Sequence, residues 1–251
     1  MKKLTNHSTI IGDRYMHPLT YFVDESIKVF DGDEICALIA IKTIDSSKLN
    51  SLIRDSIARI ISDPVLSQHS GINGTWIPHY CNDHPIEVHP QFLRDISQMP
   101  FEAYIVFGQK NKFPQLDEYD WYDNLIKILF TFRLSADKGR IDRVVYEQHD
   151  SKLGKREIHL QKLFQSMTQK DAQRRRTETT SILVKSAGKD VLPLCLSDYI
   201  GGSFMSYLCE TDKSKLGPKR RGFELVAKKI RWIKNADSSE IYTSKHPFYK
   251  D

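Results

Sequence analysis

The pattern of apolar and polar positions predicts a pair of buried strands near the start of the chain. Residues 20–26, TYFVDES, are almost entirely apolar until Asp24 and Glu25 follow. So few polar positions are typical of a short central strand. After a turn at residues 31–33, a second apolar run over 34–44 predicts a strand that pairs with the first as a hairpin.

The two carboxylates at the end of the first run need a partner, because an unpaired buried charge is costly. One interpretation is a metal ligand in an acidic site. The other is a carboxylate pair that opens the turn toward Lys28 and the corner at 31–33. Taken alone, this stretch favours the turn.

Helical and strand patterns alternate along the rest of the chain, as in α/β proteins. Apolar residues at helical spacing predict a helix that is capped by Ser46 or Ser47 and that ends at Asp63-Pro64. Later patterns predict a short helix through Phe92 and Ile96, a strand over 101–107, a helix over 119–134, a strand over 141–150, a helix over 151–176, a strand over 181–184, a helix over 192–204 and a final helix over 223–235.

The length is compatible with one large α/β domain or with a small domain that carries a substantial insertion, and we expect a cytoplasmic protein. The chain has 251 residues, of which 40% are apolar, and no apolar run approaches the roughly 20 residues of a membrane span. The four cysteines form no Cys-x-x-Cys pair, so we expect reduced thiols. A net charge of +5 permits an anionic partner without requiring one.

A stretch rich in Gly, Pro, Asn and His over residues 65–86 predicts a long irregular loop, which is often functional. Metal-ligand side chains occur in and after it, but their spacing matches no regular zinc pattern and argues against a structural zinc site. They are His79, Cys81, His84 and His89. Glu87 lies where this loop enters the domain.

Two later acids also lie where chemistry is expected. Alternation along the strand over 141–150 puts Val145, Glu147 and His149 on one face. In the helix over 192–204, Asp198 would share a face with Gly201 and Gly202. Each glycine costs a helix about 1 kcal/mol relative to alanine, which suggests a needed close approach to the sheet. The alternative is that Ser197 or Asp198 caps a helix that begins there.

These motifs in this order resemble a known family. They are the strand ending in Asp-Glu-Ser, the Glu-x-His at residues 87–89, the strand with an acidic end, and the late Leu-x-x-x-Asp-Tyr-x-Gly at residues 194–201. Together, from about Tyr21 to Tyr207, they resemble the family catalogued as domain of unknown function 3800, which is similar to ribonuclease H in fold.

The resemblance implies a ribonuclease-H-like mixed sheet flanked by helices, with a catalytic set of Asp24, Glu87, Glu147 and Asp198. Of these, Asp24, Glu147 and Asp198 would bind Mg²⁺ or Mn²⁺, which prefer oxygen ligands. Two such ions about 4 Å apart can activate a water for attack on a phosphodiester. The implied activity is a metal-dependent nuclease acting on DNA or RNA, in a mobile-element or anti-phage setting.

Two basic clusters suit the same polyanionic substrate. The first is Arg174, Arg175 and Arg176, which on its own is also typical of a solvated helix end. The second is Lys219, Arg220 and Arg221, in a loop broken by Gly217 and Pro218.

The predicted organisation is therefore an N-terminal extension over residues 1–17, a ribonuclease-H-like domain over 18–210, and a basic loop, helix and tail over 211–251. Two other functions fit the same residues. One is a nucleic-acid-binding module without turnover. The other is a protein-interaction subunit of a multi-component defence complex.

Overall fold

The computed structural model describes residues 18–69, 71–147, 155–188 and 190–249. The predicted extension over 1–17 and His149 lie outside these residues. The described chain is an α/β protein built on a mixed sheet, which confirms the predicted class.

The sheet has seven strands in the described residues, in the order β5-β4-β1-β2-β3-β6-β7. Antiparallel pairing joins β1 to β2, β2 to β3 and β6 to β7, whereas β4 is parallel to β1, β5 to β4 and β6 to β3. The strands are β1 (Leu19–Phe30), β2 (Asp33–Thr43), β3 (Glu102–Gln109), β4 (Ile141–Glu147), β5 (Leu183–Ala187), β6 (Ile230–Asn235) and β7 (Ile241–Tyr242).

Helices cover both faces of this sheet. They are α1 (Ser46–Ser62), α2 (Val88–Ile96), α3 (Glu118–Asp137), α4 (Lys155–Arg175), α5 (Leu194–Leu208) and α6 (Lys213–Ala227), with short 3-10 turns at Leu66–Gln68 and Lys110–Lys112.

Side-chain alternation along β1 and β2 divides the core into two layers. Phe22 and Ile39 pack with residues of α1, α2, α5 and α6 on one face. Tyr21 and Leu38 pack with residues of α3 and α4 on the other. Helix α5 is buried along almost its whole length, and it lies on the face that carries Phe22.

The predicted hairpin is confirmed, and its turn explains the tight connection. Asp31 and Gly32 have φ of 52° and 76°, the positive values of the turns that match strand twist. The predicted cap of α1 was wrong by one residue. The side chain of Asp45, rather than Ser46 or Ser47, accepts from the amide of Lys48 at 2.9 Å, so the helix begins at Ser46.

The interpretation of Asp24 and Glu25 as a pair that opens the turn was also wrong. β1 continues to Phe30, six residues beyond Asp24. The antiparallel partner β2 extends the strand past the point where β4 ends its pairing, so both acids lie within the strand.

The C-terminal region differs from the predicted basic loop and helix. Residues 213–227 form α6, whose first turn is capped by the side chain of Asp212, and the chain then enters β6. Apolar residues at 223, 226, 230 and 233 have helical spacing, but Ile230 and Ile233 lie on β6. The open edge of β3 decides the outcome, because pairing there satisfies backbone groups that an exposed edge would leave unpaired.

Candidate functional site

Asp24 and Glu147 lie side by side on neighbouring parallel strands. The last paired residues of β1 and β4 are Val23 and Tyr146, and the two acids are the next residues of their strands. Phe22 and Val145 pack in the core layer under α5, so alternation turns both acids to that face. Neighbouring strands lie about 4.8 Å apart. Both carboxylates are buried, with 2% and 6% of the residue exposed.

Helix α5 brings Asp198 to the same face. The hydroxyl of Ser197 donates to the carbonyl of Phe22 at 3.2 Å, so the helix crosses β1 beside Asp24. Burial raises the pKa of the Cys195 thiol well above its ordinary value, and the charges of Asp198 and Glu147 raise it further. Both acids therefore lie close to one thiol. The structure thus brings Asp24, Glu147 and Asp198 to one face of the sheet, where β4 ends beside the middle of β1.

The two glycines of α5 permit this approach, as predicted. A Cβ added at Gly201 would lie 2.5 Å from Cδ1 of Ile39 and 3.2 Å from Cβ of Ser26, which are sheet residues. A Cβ added at Gly202 would lie 2.2 Å from the ring of Tyr80. The lack of a side chain at Gly201 lets α5 pack close to the sheet. The lack of a side chain at Gly202 lets the loop before α2 pack against the helix.

The loop before α2 forms one side of the site, and the buried side chain of Asp83 links it to α5 by hydrogen bonds. The Asp83 carboxylate accepts from the indole of Trp76 and the amide of His79, each at 2.8 Å, and from the hydroxyl of Tyr199. The amide of Tyr80 then donates to the carboxylate of Asp198 at 2.7 Å. An irregular stretch of sequence is therefore locally ordered around one of the acids.

His89 supports the same loop from α2. Its Nε2 donates to the carbonyl of Tyr80 at 2.7 Å, and the two rings stack with centroids 4.1 Å apart. Burial lowers the pKa of His89, although the bond to Tyr80 opposes that shift. The contacts of His89 are therefore structural. Among the described residues, it does not belong to a group of metal-ligand side chains.

Glu25 faces the opposite layer from Asp24. Its carboxylate accepts from the hydroxyl of Tyr122 at 2.9 Å, and burial raises the pKa of that hydroxyl well above its ordinary value. Arg156 lies over the Tyr122 ring at 4.6 Å and pairs with buried Asp123 at 3.1 Å. We did not predict this polar group, because its members come from three elements with no sequence motif.

The described contacts of Glu87 are with His69 and His84, and not with the other three acids. It lies exposed just before α2, where its carboxylate contacts His69 and lies 3.7 Å from Nδ1 of His84. His69 is 18 residues earlier in the chain, and no local pattern connects the two.

The arginines at the end of α4 lie at the opposite end of the sheet from the acids. Arg174 and Arg175 pair with Asp171 at 2.7 and 2.6 Å, and Arg175 lines a small cavity with Ile141, the first residue of β4. Glu147 is at the other end of this seven-residue strand, about 20 Å away. The structure does not bring this cluster to the acids, because α4 runs back along the sheet.

The second basic cluster is divided. Lys219 lies close enough to Lys28 and His89 for its charge to lower the pKa of both, after the larger effect of burial. Arg220 instead pairs with Glu224 at 2.8 Å on the exposed side of α6. Lys28 is on the α5 face of β1 and donates to the hydroxyl of Ser206 at 3.1 Å. Among the basic residues of the described ranges, Lys28 and Lys219 are two that the contacts place on the sheet face that carries the acids.

Neither the scan against family models nor the search of curated proteins found a match to this chain. Among the helices of the described ranges, none is long and apolar enough to cross a membrane.

Proposed function

We propose that this protein is a divalent-metal-dependent nuclease that hydrolyses phosphodiester bonds of DNA or RNA. One observation carries the proposal. Asp24, Glu147 and Asp198 come from two adjacent parallel strands and the helix that covers them, and they share one face of the sheet at the place where β4 ends.

The strand order supports a ribonuclease-H-like fold for this proposal, and with it membership of the family named above. β1 is an interior strand, with β4 and β5 parallel to it on one side and, on the other, an antiparallel meander of β1, β2 and β3. The resemblance implies such a mixed sheet, with acids on its first strand, a later strand and the last core helix.

The donor set fits Mg²⁺ or Mn²⁺, because all three side chains offer only carboxylate oxygens. Buried carboxylates that converge repel one another unless a cation or a proton offsets their charge. The amide of Glu25 holds one oxygen of Asp24 at 2.8 Å, as the amide of Tyr80 holds one of Asp198. Such bonds orient ligands before a cation arrives. A bound cation would supply an activated water and offset charge on the scissile phosphate.

Lys28 lies on the same face of β1 as Asp24, four residues farther along the strand, and Lys219 lies near it; both would add positive charge for the phosphates of a bound strand. Glu87 and Arg174, Arg175 and Arg176 do not enter this proposal. Their described contacts are with other groups, and the arginines lie at the far end of β4.

The test uses two neighbouring residues that face opposite layers. We expect the wild-type chain to cleave at least one of single-stranded DNA, double-stranded DNA, RNA or a DNA–RNA hybrid in the presence of Mg²⁺ or Mn²⁺. Asp24→Asn should abolish that cleavage, because it removes a ligand charge while keeping the side-chain shape. Its melting temperature should equal or exceed that of wild type, because repulsion among the acids is relieved.

Glu25→Gln is the matched control, since it removes the adjacent charge on the opposite face and its amide oxygen can still accept from Tyr122. It should retain cleavage. The proposal is overturned if wild type cleaves none of these substrates with either cation, or if the Asn and Gln variants are equally active.

A further inference from the structure

The loop between α1 and α2 contains a group of metal-ligand atoms that is separate from the three acids. Nε2 of His69, Nδ1 of His84 and a carboxylate oxygen of Glu87 all lie within 4.8 Å of one another. The two imidazole rings stack with centroids 4.3 Å apart and planes inclined by 19°. Three ligand atoms from two segments of the loop therefore lie around one small volume, and a rotation of the stacked rings would direct both ring nitrogens into it.

The backbone fixes both segments. The amide of His69 donates to the carbonyl of Leu66 and its carbonyl accepts from Ile72, each at 3.1 Å. The carbonyl of His84 accepts from the amides of Val88 and His89 at 3.0 and 3.2 Å, which ties it to the start of α2. The backbone that carries the two histidines is thus held by hydrogen-bonded turns.

The ring nitrogens that face one another lack hydrogen-bond partners in the part of the chain that the structure describes. Nε2 of His69 and Nδ1 of His84 are shielded from solvent, and neither makes a hydrogen bond. Nε2 of His69 touches the Glu87 carboxylate without hydrogen-bond geometry, and Nδ1 of His84 at 3.7 Å is too far from it. Shielded polar atoms without partners are costly and point to a missing ligand.

We propose that His69, His84 and Glu87 bind a first-row transition-metal dication, with Zn²⁺ as the best fit. Two imidazole nitrogens and one carboxylate oxygen are ligands that Zn²⁺ accepts, at about 2.0–2.2 Å in a tetrahedral arrangement. Tetrahedral donors at that distance are about 3.3 Å apart. The 3.7 Å between His84 and Glu87 is close to this separation, whereas Nε2 of His69 and the Glu87 carboxylate are in closer contact and would move apart around the ion. Mg²⁺, which prefers oxygen ligands in an octahedron, suits this group poorly.

The surface position of the group leaves room for a fourth ligand. The side chains of His69, His84 and Glu87 are 23%, 40% and 41% exposed. A zinc ion with three protein ligands keeps a water in its remaining position. The ion would join the turn after α1 to the start of α2, and so close the loop that carries Tyr80 and Asp83 onto α5.

Zinc binding by the full-length chain tests this proposal. Isothermal titration should detect a Zn²⁺ site that excess Mg²⁺ does not displace, and Zn²⁺ should raise the melting temperature. His69→Ala and His84→Ala should each weaken this binding by at least about 100-fold, more than the loss of an outer hydrogen bond to a ligand costs. Glu87→Gln should weaken it by at least about tenfold.

Three variants serve as controls. His79→Ala removes a histidine of the same loop whose Nδ1 also lacks a partner but lies outside the group, and Cys81→Ser removes the nearest thiol of that loop in sequence. Both should bind Zn²⁺ as wild type does. Glu25→Gln, which changes a carboxylate outside both groups of ligands, should also bind Zn²⁺ normally. Circular dichroism verifies that each variant is folded.

The absorption spectrum of the Co²⁺-substituted protein gives a second readout. It should show the bands of a four-coordinate nitrogen and oxygen site without a thiolate charge-transfer band. The proposal is overturned if wild type binds no Zn²⁺, if folded His69→Ala and His84→Ala bind as wild type does, or if binding is lost in Cys81→Ser.

Discussion

At the scale of single residues, His89 illustrates how burial sets chemical behaviour in the loop wall. Its ring packs against the rings of Tyr80 and Tyr199, with centroids 4.1 and 5.6 Å away. Burial lowers its pKa below the ordinary value of 6.5, and Lys219 adds to that shift while Asp83 and the bond to Tyr80 oppose it. The folded protein therefore holds this histidine neutral.

The lowered pKa predicts a loss of stability in acid. The unfolded chain binds the proton more tightly, so the contribution of His89 is complete above pH 6.5 and is lost as pH falls from there through the folded pKa. His89→Gln, which can still donate to the Tyr80 carbonyl, should reduce this fall. Urea unfolding at a series of pH values between about 5 and 8 measures it. Equal pH dependence in both proteins would contradict the assignment.

At the scale of the element, α5 shows why small residues occur in a buried helix. Gly201 lies so close to the sheet that a Cβ would meet Ile39 and Ser26, both on central strands. The close approach lets Asp198 lie on the same face as Asp24. Glycine at position 201 therefore lowers the helix propensity of α5 but permits its close contact with the sheet.

Gly201→Ala should consequently destabilise the protein by about 1–3 kcal/mol, as overpacked core positions do, even though alanine favours helices. Gly222→Ala in α6 is the control, because its Cβ would meet only Cδ1 of Leu93, at an ordinary contact distance of 3.9 Å. That change should be neutral or stabilising by up to about 1 kcal/mol. Chemical unfolding measures both, and equal stabilisation of the two variants would refute the close-packing argument.

At the scale of the whole molecule, the C-terminal region completes the fold. Phe223, Val226, Ile230 and Ile233 are buried in the core layer under α5. A fully buried apolar side chain contributes about 1.5–3 kcal/mol, so these four contribute about 6–12 kcal/mol. The stability of a whole domain is about 5–15 kcal/mol. β6 also covers the edge of β3, which would otherwise be open to aggregation.

A chain that ends at Glu210 should therefore fail to fold as a soluble, cooperative unit. A chain that ends at Ser238 keeps α6 and β6, together with the Asp237 carboxylate that accepts from the amide of Gln109 at 3.1 Å. It should fold, with lower stability because the packing of Phe248 on Phe107 and Phe204 is lost. Thermal melts followed by circular dichroism compare the two. Cooperative unfolding of the shorter chain at the wild-type temperature would show that residues 18–210 are sufficient.

The sequence by itself determined the features that depend on neighbouring residues. Apolar runs and helical periodicity predicted the β1–β2 hairpin, α1, α3 and α5, because each pattern repeats over a few residues and the turn chemistry at Asp31 and Gly32 is local. Alternation predicted the face of Glu147 relative to Val145. The glycine pair predicted the close approach of α5, because its cost to a helix requires a tertiary reason.

Only the tertiary structure decided which distant groups meet. Residues 230–233 have helical spacing but form a strand, because they pair with the edge of β3. Helix α4 runs back along the sheet, so Arg174 and Arg175 lie at the far end of β4. His69 reaches His84 and Glu87 through the fold of a loop without a repeating pattern. Long-range pairing and packing supply the free energy for these outcomes, and that free energy depends on surfaces that exist only once the other elements have assembled.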